Sequence, residues 1–557
     1  MGKTKICCLL LLLVVLTLCL EAQEYNSVPL DHAAYDIIEA GIMQGIISSP
    51  PSARPWSVNT VKEKLWEMIN SPEQILSRKE LDVVISVLDS FERKNGLDLQ
   101  GGRYRRESYG YTFEAGLEWE SSFSIEAPGA SVASINMAKV YTGGDFGNFY
   151  SWNITALGEF LYIGHDDHYV SPVFPYTLSR QWDGRVLSLR NPGVYSAWPY
   201  DPSLAGGFLA ELNGVFLDNR LQLRLGRLRR DWGPGSNGTS LFMNAQARPF
   251  AALEGTYSPL SWLDFSFMNG VLEYLKEDSR WPNHGPFINM ISMAQVEINP
   301  LKYFYFSMGG SIIWLNKVNS AFFSNLELRL PGFVKLWGSL FVDQIGSFPD
   351  KFFSKNRNNY AYQAGVKTIV HWLPFAAFTI SYTKVEPYCY TNGHNKYSGG
   401  LTVPSSSAYI SGGESLGYYL PPNSDELLVR FESRLFPEIK AHIQYQMMRH
   451  GADYGYGWVP GSSLRDRLID GSYPDKYFLM DGVYRWDNVI KLGGSCNINA
   501  GKIPVTVYAE TGLVLTRFTI NGSAGVGNEA EYESLNDSVY SARNGFIFSA
   551  GFRLFPR

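Results

Sequence analysis

One stretch of the chain combines residue types that could bind a polar ligand. Three arginines fall within four residues and are followed by a tryptophan, and an asparagine and a fourth arginine come shortly afterwards. Guanidinium groups form paired hydrogen bonds with anions and stack on aromatic rings, so this grouping suits a polar surface that holds hydroxyls or anions. The candidate ligand-binding residues are Arg227, Arg229, Arg230, Trp232, Asn244 and Arg248.

The same stretch also has a purely structural interpretation. Alternating leucines up to Leu225 predict a strand that runs into Trp232-Gly233-Pro234-Gly235. The two glycines adopt backbone angles that other residues avoid, and Pro234 lacks an amide donor, so the strand must bend or break there. A structural kink and a binding site are both compatible with the sequence.

The rest of the sequence offers little evidence for a metal site or for catalysis. His165-Asp166-Asp167-His168 has metal-ligand residue types, but adjacent side chains on an extended chain point to opposite sides, which favours a solvated loop. The sequence contains no phosphate-binding loop, CxxC pair or HExxH motif. Two strand carboxylates could form a glycosidase pair, yet lining of a polar interior is the simpler interpretation. We therefore predict no catalytic residue, no metal site and no cofactor.

The N-terminus predicts export. Lys3 and Lys5 precede an apolar run from Ile6 to Leu20, which is too short to span a membrane comfortably. We assign residues 1–23 to a signal peptide, in preference to a lipoprotein signal ending at Cys19, because the residue before that cysteine is the bulky Leu18. Cys389 and Cys496 remain after cleavage, and the sequence does not say whether they pair.

The remaining chain divides where its hydrophobic period changes. Residues 24–106 have a helical period, with Ser57 as a helix N-cap and a Ser77–Glu80 capping box that opens a helix to about Lys94. Residues 107–557 alternate apolar and polar side chains, and no segment offers about 20 consecutive apolar residues, which excludes a helical membrane protein. Alternation alone fits either a soluble sandwich or a membrane barrel with a wet lumen.

The connections favour the barrel. Short Pro-containing turns recur, as at Pro331-Gly332 and Phe436-Pro437, and longer polar segments lie between them, notably Tyr390 to Asp425 and His450 to Asp487. Short periplasmic turns and long extracellular loops are typical of outer-membrane barrels. The sequence therefore predicts a mainly β protein: a large antiparallel outer-membrane β-barrel of about 18 strands with a small N-terminal α-helical domain in the periplasm.

The bend and its surroundings resemble the signature of the Wzi family of capsule-assembly outer-membrane proteins. In that family a WGPG turn precedes an NARP-like segment, which is spread here over Asn244-Ala245-Gln246-Ala247-Arg248-Pro249. The start of the helical region, VPLDHAAYDIIEAGIMQGIIS, is also similar to Wzi-type chains. The residues that match the motif are Trp232, Gly233, Pro234, Gly235, Asn244, Arg248 and Pro249.

The resemblance implies a non-enzymatic protein of the cell outer membrane that binds or organises capsular polysaccharide or exopolysaccharide. Its expected partners are outer-membrane lipid, surface polysaccharide and the barrel-assembly machinery. A net charge of -5 without a basic tail gives no sign of nucleic-acid binding. Two alternatives remain: a porin for small solutes, and a surface adhesin that uses the long loops.

Overall fold

The computed structural model describes most of the chain after residue 24. The described residues are 25–72, 76–92, 95–98, 102–108, 111–127, 131–147, 149–164, 203–217, 219–234, 240–245, 247–272, 289–314, 318–344, 359–391, 397–398, 401–402, 408–411, 414–451, 478, 482–501, 503–521 and 543–556. The predicted signal peptide, the segment His165–His168 and Gly235 lie outside these ranges.

A closed antiparallel barrel dominates the described part of the chain. Eighteen of its strands follow one another around the wall, and the barrel closes where β26 pairs with β4 and β8 pairs with β10. This arrangement confirms the predicted fold class and strand number. The wall strands are β4 Tyr111–Ala127, β5 Ser131–Phe146, β6 Tyr150–Gly164, β7 Ser203–Phe216, β8 Leu221–Leu228, β10 Phe250–Leu260, β11 Leu263–Leu272, β12 Asn289–Leu301, β13 Phe304–Trp314, β14 Asn319–Leu330, β15 Val334–Gln344, β16 Asn359–Val370, β17 Ala376–Val385, β22 Ser424–Arg434, β23 Ile439–Gly451, β24 Gly482–Ala500, β25 Ile503–Asn521 and β26 Arg543–Leu554.

Short strands complete the described set. Strand β3 pairs with β2 and with the first residues of β4, next to the end of β26. Strands β1 and β9 form a separate pair inside the barrel. Two further hairpins lie between β17 and β22. The bounds are β1 Ala53–Arg54, β2 Gly96–Asp98, β3 Arg103–Ser108, β9 Asp231–Trp232, β18 Tyr397–Ser398, β19 Leu401–Thr402, β20 Ile410–Ser411 and β21 Glu414–Ser415.

The outer wall is apolar and the inner wall is polar, as the period of two predicts. On β25, for example, Leu513 and Leu515 are exposed on the outside, whereas Thr516 is buried on the inside. An outward apolar surface around a polar interior is the arrangement that a lipid bilayer requires of a barrel. The fold is therefore that of an outer-membrane β-barrel.

Three helices lie at the end of the barrel where the strand connections are short: α1 Ala34–Met43, α2 Val58–Ile69 and α3 Arg78–Asp89. Ser57 accepts a hydrogen bond from the Thr60 amide, and Ser77 and Glu80 form the predicted capping box. The helices share a core of their own that includes Ile38, Leu65 and Val84. No helix of the described residues is long and apolar enough to cross a membrane.

The helical prediction was wrong in three details. The third helix ends at Asp89 rather than near Lys94, and residues 96–98 and 103–108 form strands. The helical period of the sequence also assigns Ile85 to the buried apolar face of this helix, but Ile85 is 39% exposed, because Val83 and Val87 face inward instead. Each error arises near an element end or at the edge of an apolar stripe, where neighbouring elements decide the outcome.

Candidate functional site

The segment between β8 and β10 folds into the barrel lumen and contains the predicted site residues. The side chains of β8 alternate, so Arg224, Gly226 and Leu228 face inward and Leu225 and Arg227 face outward. Arg230 continues the inward series, and after it the chain turns across the lumen. We call the described residues 230–234, 240–245 and 247–249, together with β1, the luminal junction.

Arg230 closes the base of the luminal junction. Its Nε donates to Glu254 Oε2 at 2.9 Å, its Nη1 donates to the carbonyls of Leu228 (3.0 Å) and Phe250 (2.8 Å), and its Nη2 donates to the Gly226 carbonyl (3.0 Å). The guanidinium also lies 4.7 Å from the centre of the Phe250 ring. These bonds occupy the fork of a side chain that is only 2% exposed, so Arg230 holds the two ends of the segment together.

Arg224 likewise connects the barrel wall to the N-terminal segment of the chain. Its Nε donates to Asn213 Oδ1 at 2.8 Å, and its Nη1 donates both to Glu254 Oε1 (3.1 Å) and to the Pro55 carbonyl (3.0 Å). In sequence, Arg224 is recognisable only as a polar residue that alternates with the leucines of this strand. Its bond to Pro55 joins parts of the chain that are far apart in sequence, which a local pattern does not reveal.

Trp232 joins the N-terminal segment to the lumen. Asp231 and Trp232 form β9, which pairs antiparallel with Arg54 and Ala53 of β1. The Trp232 amide donates to the Met243 carbonyl at 3.0 Å, and the side chain is 1% exposed. The indole is therefore a buried anchor, with no open face on which a sugar could stack.

The bend after Trp232 is built as its residue types predict. Gly233 has a φ of +143°, a backbone angle that L-residues with side chains rarely adopt, and a Cβ there would meet Ser240 Oγ at 3.0 Å. Arg54 Nη2 donates to the Gly233 carbonyl at 3.1 Å and lies 3.2 Å from Asp231. The carbonyl of Pro234 accepts a bond from Lys335 Nζ at 3.4 Å. The bend is thus tied both to β1 and to the barrel wall.

The second half of the motif meets another in-folded segment. The Asn244 amide donates to the Leu416 carbonyl at 2.8 Å, and Asn244 Nδ2 donates to the Ser240 carbonyl at 3.4 Å. Arg248 and Pro249 are also buried, immediately before β10. Asn244 and Arg248 therefore lie in the interior together with Arg230 and Trp232.

Arg227 and Arg229 are not part of this group. Arg227 points to the outer face of the wall, where its guanidinium lies 5.2 Å from the centre of the exposed Phe208 ring and donates to the Phe208 carbonyl. Arg229 is partly exposed. The strand period of two separates them from Arg224 and Arg230, so the cluster of three arginines in sequence is not a cluster in space.

The lumen next to the luminal junction is filled by apolar side chains. Phe242 stacks on Phe323 of the wall, with ring centres 3.9 Å apart and an interplanar angle of 7°. Tyr390 donates its hydroxyl to the Leu241 carbonyl at 2.7 Å, and Tyr409 donates to the Phe242 carbonyl at 2.6 Å. The prediction that Tyr390 to Asp425 form an extracellular loop is thus wrong for the described residues of this segment. Their apolar side chains pack inside the barrel with the luminal junction.

A cavity of about 70 Å³ lies on the helical side of the luminal junction, between α1, β1 and the inner wall. Its lining includes Glu39, Gly233, Pro234, Arg329 and Lys335. Glu39 lies 2.5 Å from Lys335 Nζ and 2.9 Å from Lys367 Nζ. Burial alone would raise the pKa of Glu39, but the two ammonium groups outweigh it and lower the pKa to about 2.

Further ion pairs connect α1 to the wall. Asp36 contacts Lys440, and Lys367 also contacts Glu432 at 3.4 Å. These alternating charges form one chain from Lys335 through Glu39, Lys367, Glu432 and Lys440 to Asp36. These ion pairs therefore dock the helix to the polar inner wall.

No group of three or more histidine, cysteine, aspartate or glutamate side chains that could hold a metal ion occurs among the described residues. Within the same residues Cys389 and Cys496 do not form a disulfide with each other; the first is buried and the second is partly exposed. The side chains of the described site anchor the in-folded segment to the barrel wall and fill the lumen.

Together, the fold and the site define an outer-membrane β-barrel of eighteen described strands, with an N-terminal helical region at one end and in-folded segments in its lumen. Its structure is similar to that of Wzi, an outer-membrane protein involved in group 1 capsule assembly in Escherichia coli and a carbohydrate-binding β-barrel. The TM-score is 0.56 at 12% sequence identity, and the match covers 96% of this chain and 99% of that chain. This likeness confirms, at the level of the fold, the resemblance predicted from the sequence.

More distant likenesses include two barrels from Pseudomonas aeruginosa. OprD matches with a TM-score of 0.40 and 11% identity over 80% of this chain and 94% of that chain. OpdK, solved with vanillate, matches with a TM-score of 0.40 and 10% identity over 80% of this chain and 98% of that chain. Both are too distant to bear on function. No protein-family model and no curated protein matches the sequence.

Proposed function

We propose that this protein binds or organises capsular polysaccharide or exopolysaccharide at the cell surface and has no enzymatic activity. In this proposal the helices and short turns lie on the periplasmic side, and the long connections face the exterior. Outer-membrane barrels carry their short turns in the periplasm, which supports this orientation.

The observation that carries the proposal is the filled lumen. The α1 helix is bound to the inner wall by the Glu39 ion pairs, and the two in-folded segments form an apolar core around Phe242 and Phe323. Solute-conducting barrels need a continuous aqueous path, whereas a barrel whose interior is packed offers its outer surface for recognition. The likeness to Wzi, which its structure describes as carbohydrate-binding, points to the same class of ligand.

Retention on immobilised glycans tests the proposal. Purified full-length protein in detergent is passed over acidic capsular polysaccharides, neutral polysaccharides and blank matrix. We expect retention on at least one acidic polysaccharide, reversed by the same polysaccharide in free form. No retention on any glycan by a folded, heat-modifiable barrel would contradict the proposal.

A porin for small solutes is the second candidate. The inner wall between β22 and β25 carries polar and charged residues, among them Arg430, Gln444, Lys491 and Glu510, which is a lining suited to water. Conductance separates the two functions, because the porin candidate requires a current and the surface-binding candidate does not.

A further inference from the structure

A row of polar and aromatic side chains crosses six neighbouring strands on the outer face of the barrel. Each member is the direct register partner of the next, from β16 through β17 and β22 to β25. We call this set the rim row: Tyr362, Lys384, Asp425, Arg449, Trp486 and Arg517.

The rim row faces the membrane side of the wall, near the long connections. On β23 and β25 its members have the same parity as Ile443 and Leu513, which are 49% and 55% exposed on the outer face. Lys384 is the second-last residue of β17, and Asp425 is the second residue of β22. The row therefore lies close to the edge of the wall opposite the helices.

A second outward row, which lies one row further toward the helices than the adjacent row, is different in character. Four residues along each strand lie Val366, Ile380, Val429, Tyr445, Ile490 and Leu513, which are again register partners. Four residues of strand span about 13 Å, which is about 10 Å of depth at the usual strand tilt. The outer face thus changes from apolar to cationic and aromatic over the depth that separates acyl chains from headgroups.

Contacts in and beside the rim row hold Arg449 in a fixed position. Arg449 Nε donates to Asp425 Oδ1 at 2.8 Å and its Nη2 donates to Asp425 Oδ2, while Tyr382 donates to Asp425 Oδ2 at 2.9 Å. The Arg449 guanidinium also lies 4.9 Å from the centre of the Trp486 ring. Asp425 is fully buried beneath these partners, so its carboxylate interacts with Arg449 and not with solvent.

The remaining cations lie on either side of this pair. Lys384 contacts Glu386 at 2.5 Å and lies 3.9 Å from the centre of the Phe478 ring. Arg517 is exposed and is the direct partner of Trp486. The row holds three cations and one carboxylate, and Trp486 separates its two arginines.

We propose that Arg449 and Arg517, which lie two strands apart, bind the phosphate groups of a phosphorylated glycolipid in the outer leaflet, with Trp486 packed against the lipid between them. An outward face of a membrane barrel must contact lipid, and two arginines at headgroup depth complement a lipid phosphate. Tryptophan at the same depth is the usual interface residue of such barrels. The inference rests on the orientation proposed above but not on polysaccharide binding.

Lipid titration of full-length protein tests this site. Native mass spectrometry would follow binding of bisphosphorylated lipid A, with dephosphorylated lipid A as the second probe and inorganic phosphate as competitor. Arg517→Glu is compared with Arg220→Glu, which makes the same charge change at an exposed arginine in the turn at the other end of the barrel. Arg517→Gln replaces Arg517→Glu if the latter fails the heat-modifiability test for folding.

We expect Arg517→Glu to weaken binding of bisphosphorylated lipid A about tenfold, and Arg220→Glu to leave it within about twofold of the wild type. Arg449→Lys keeps the charge but loses the bidentate pair, and we expect an intermediate loss. Equal effects at Arg517 and Arg220, or equal wild-type binding of dephosphorylated lipid A, would overturn the proposal. Displacement by millimolar inorganic phosphate would also overturn it, because the site would then hold a free anion. Glycan retention should be unchanged in Arg517→Glu, so the two proposals fail independently.

Discussion

The carboxylate of Glu39 in the first helix lies 2.5 Å from the ammonium group of Lys335 on the inner wall of β15. Lys335 also donates to the carbonyl of Pro234, so one lysine connects the helix, the wall and the bend of the in-folded segment. This contact joins the helical region at the end of the barrel to the segment that fills the lumen.

Replacing Glu39 with glutamine should loosen the helical region. The change leaves Lys335 and Lys367 as buried cations without their shared carboxylate, and removing one partner of a buried ion pair typically costs about 3 kcal/mol. Limited proteolysis of the refolded protein should cut the N-terminal region faster while the barrel stays heat-modifiable.

The matched control is Glu67→Gln. Glu67 pairs with Lys64 at 2.8 Å on the exposed side of α2, where an ion pair contributes about 0–1 kcal/mol. Equal proteolysis of Glu39→Gln and Glu67→Gln would mean that the Glu39 contacts do not hold the helix in place.

The Glu39 contacts also predict a pH dependence. The pKa of Glu39 is lowered from 4.5 to about 2, so the folded state favours the carboxylate. The stabilisation is therefore fully present above about pH 5 and is lost as the pH falls toward 2. The difference in proteolysis between wild type and Glu39→Gln should shrink steadily between pH 5 and pH 2. A difference that stays constant over this range would show that ionisation of Glu39 plays no part.

Gly233→Ala should destabilise the bend. A side chain at a φ of +143° is strained, and the new Cβ would lie 3.0 Å from Ser240 Oγ, so a cost of about 1–3 kcal/mol is expected. The midpoint of the heat-induced gel shift measures it. Gly158→Ala is the control, because a Cβ at that strand position meets no atom within 4 Å. If both variants unfold at the wild-type temperature, the bend does not depend on its glycine.

Phe242→Ala should weaken the apolar core inside the lumen. Phe242 is 1% exposed and stacked on Phe323, and a buried phenylalanine truncated to alanine typically costs about 3–5 kcal/mol. Phe333→Ala, in an exposed turn between β14 and β15, serves as the control and should be nearly neutral. Thermal unfolding that is equally affected by both changes would contradict a packed luminal core.

The barrel itself could be predicted from the sequence because the features that specify it are local in the chain. Alternation along β25 assigns each side chain to a face, and the short turns fix antiparallel neighbours, so the fold and the strand number follow. The same holds for the caps at Ser57 and Ser77, whose partners lie three residues away.

The site could be predicted only in part. The glycines and proline of the bend indicated that the strand must end, and the structure places a bend there. The pairing of Trp232 with Ala53 and the bond from Asn244 to Leu416 join distant parts of the chain, and no local period reports such contacts. Tyr390 and Tyr409 lie in a Tyr-rich segment that looked like an exposed loop, because burial inside a lumen leaves no regular pattern in a short irregular segment.

Planar-bilayer conductance of the refolded full-length protein tests the central claim of a filled lumen most directly. A known open porin inserted under the same conditions provides the positive control, and heat modifiability of the sample confirms that the barrel is folded. We predict a conductance close to the bilayer background, because the Glu39-anchored helix lies across one end of the barrel and the core around Phe242 fills its interior. A large, steady conductance from the folded wild-type protein would contradict the account and would favour the porin function instead.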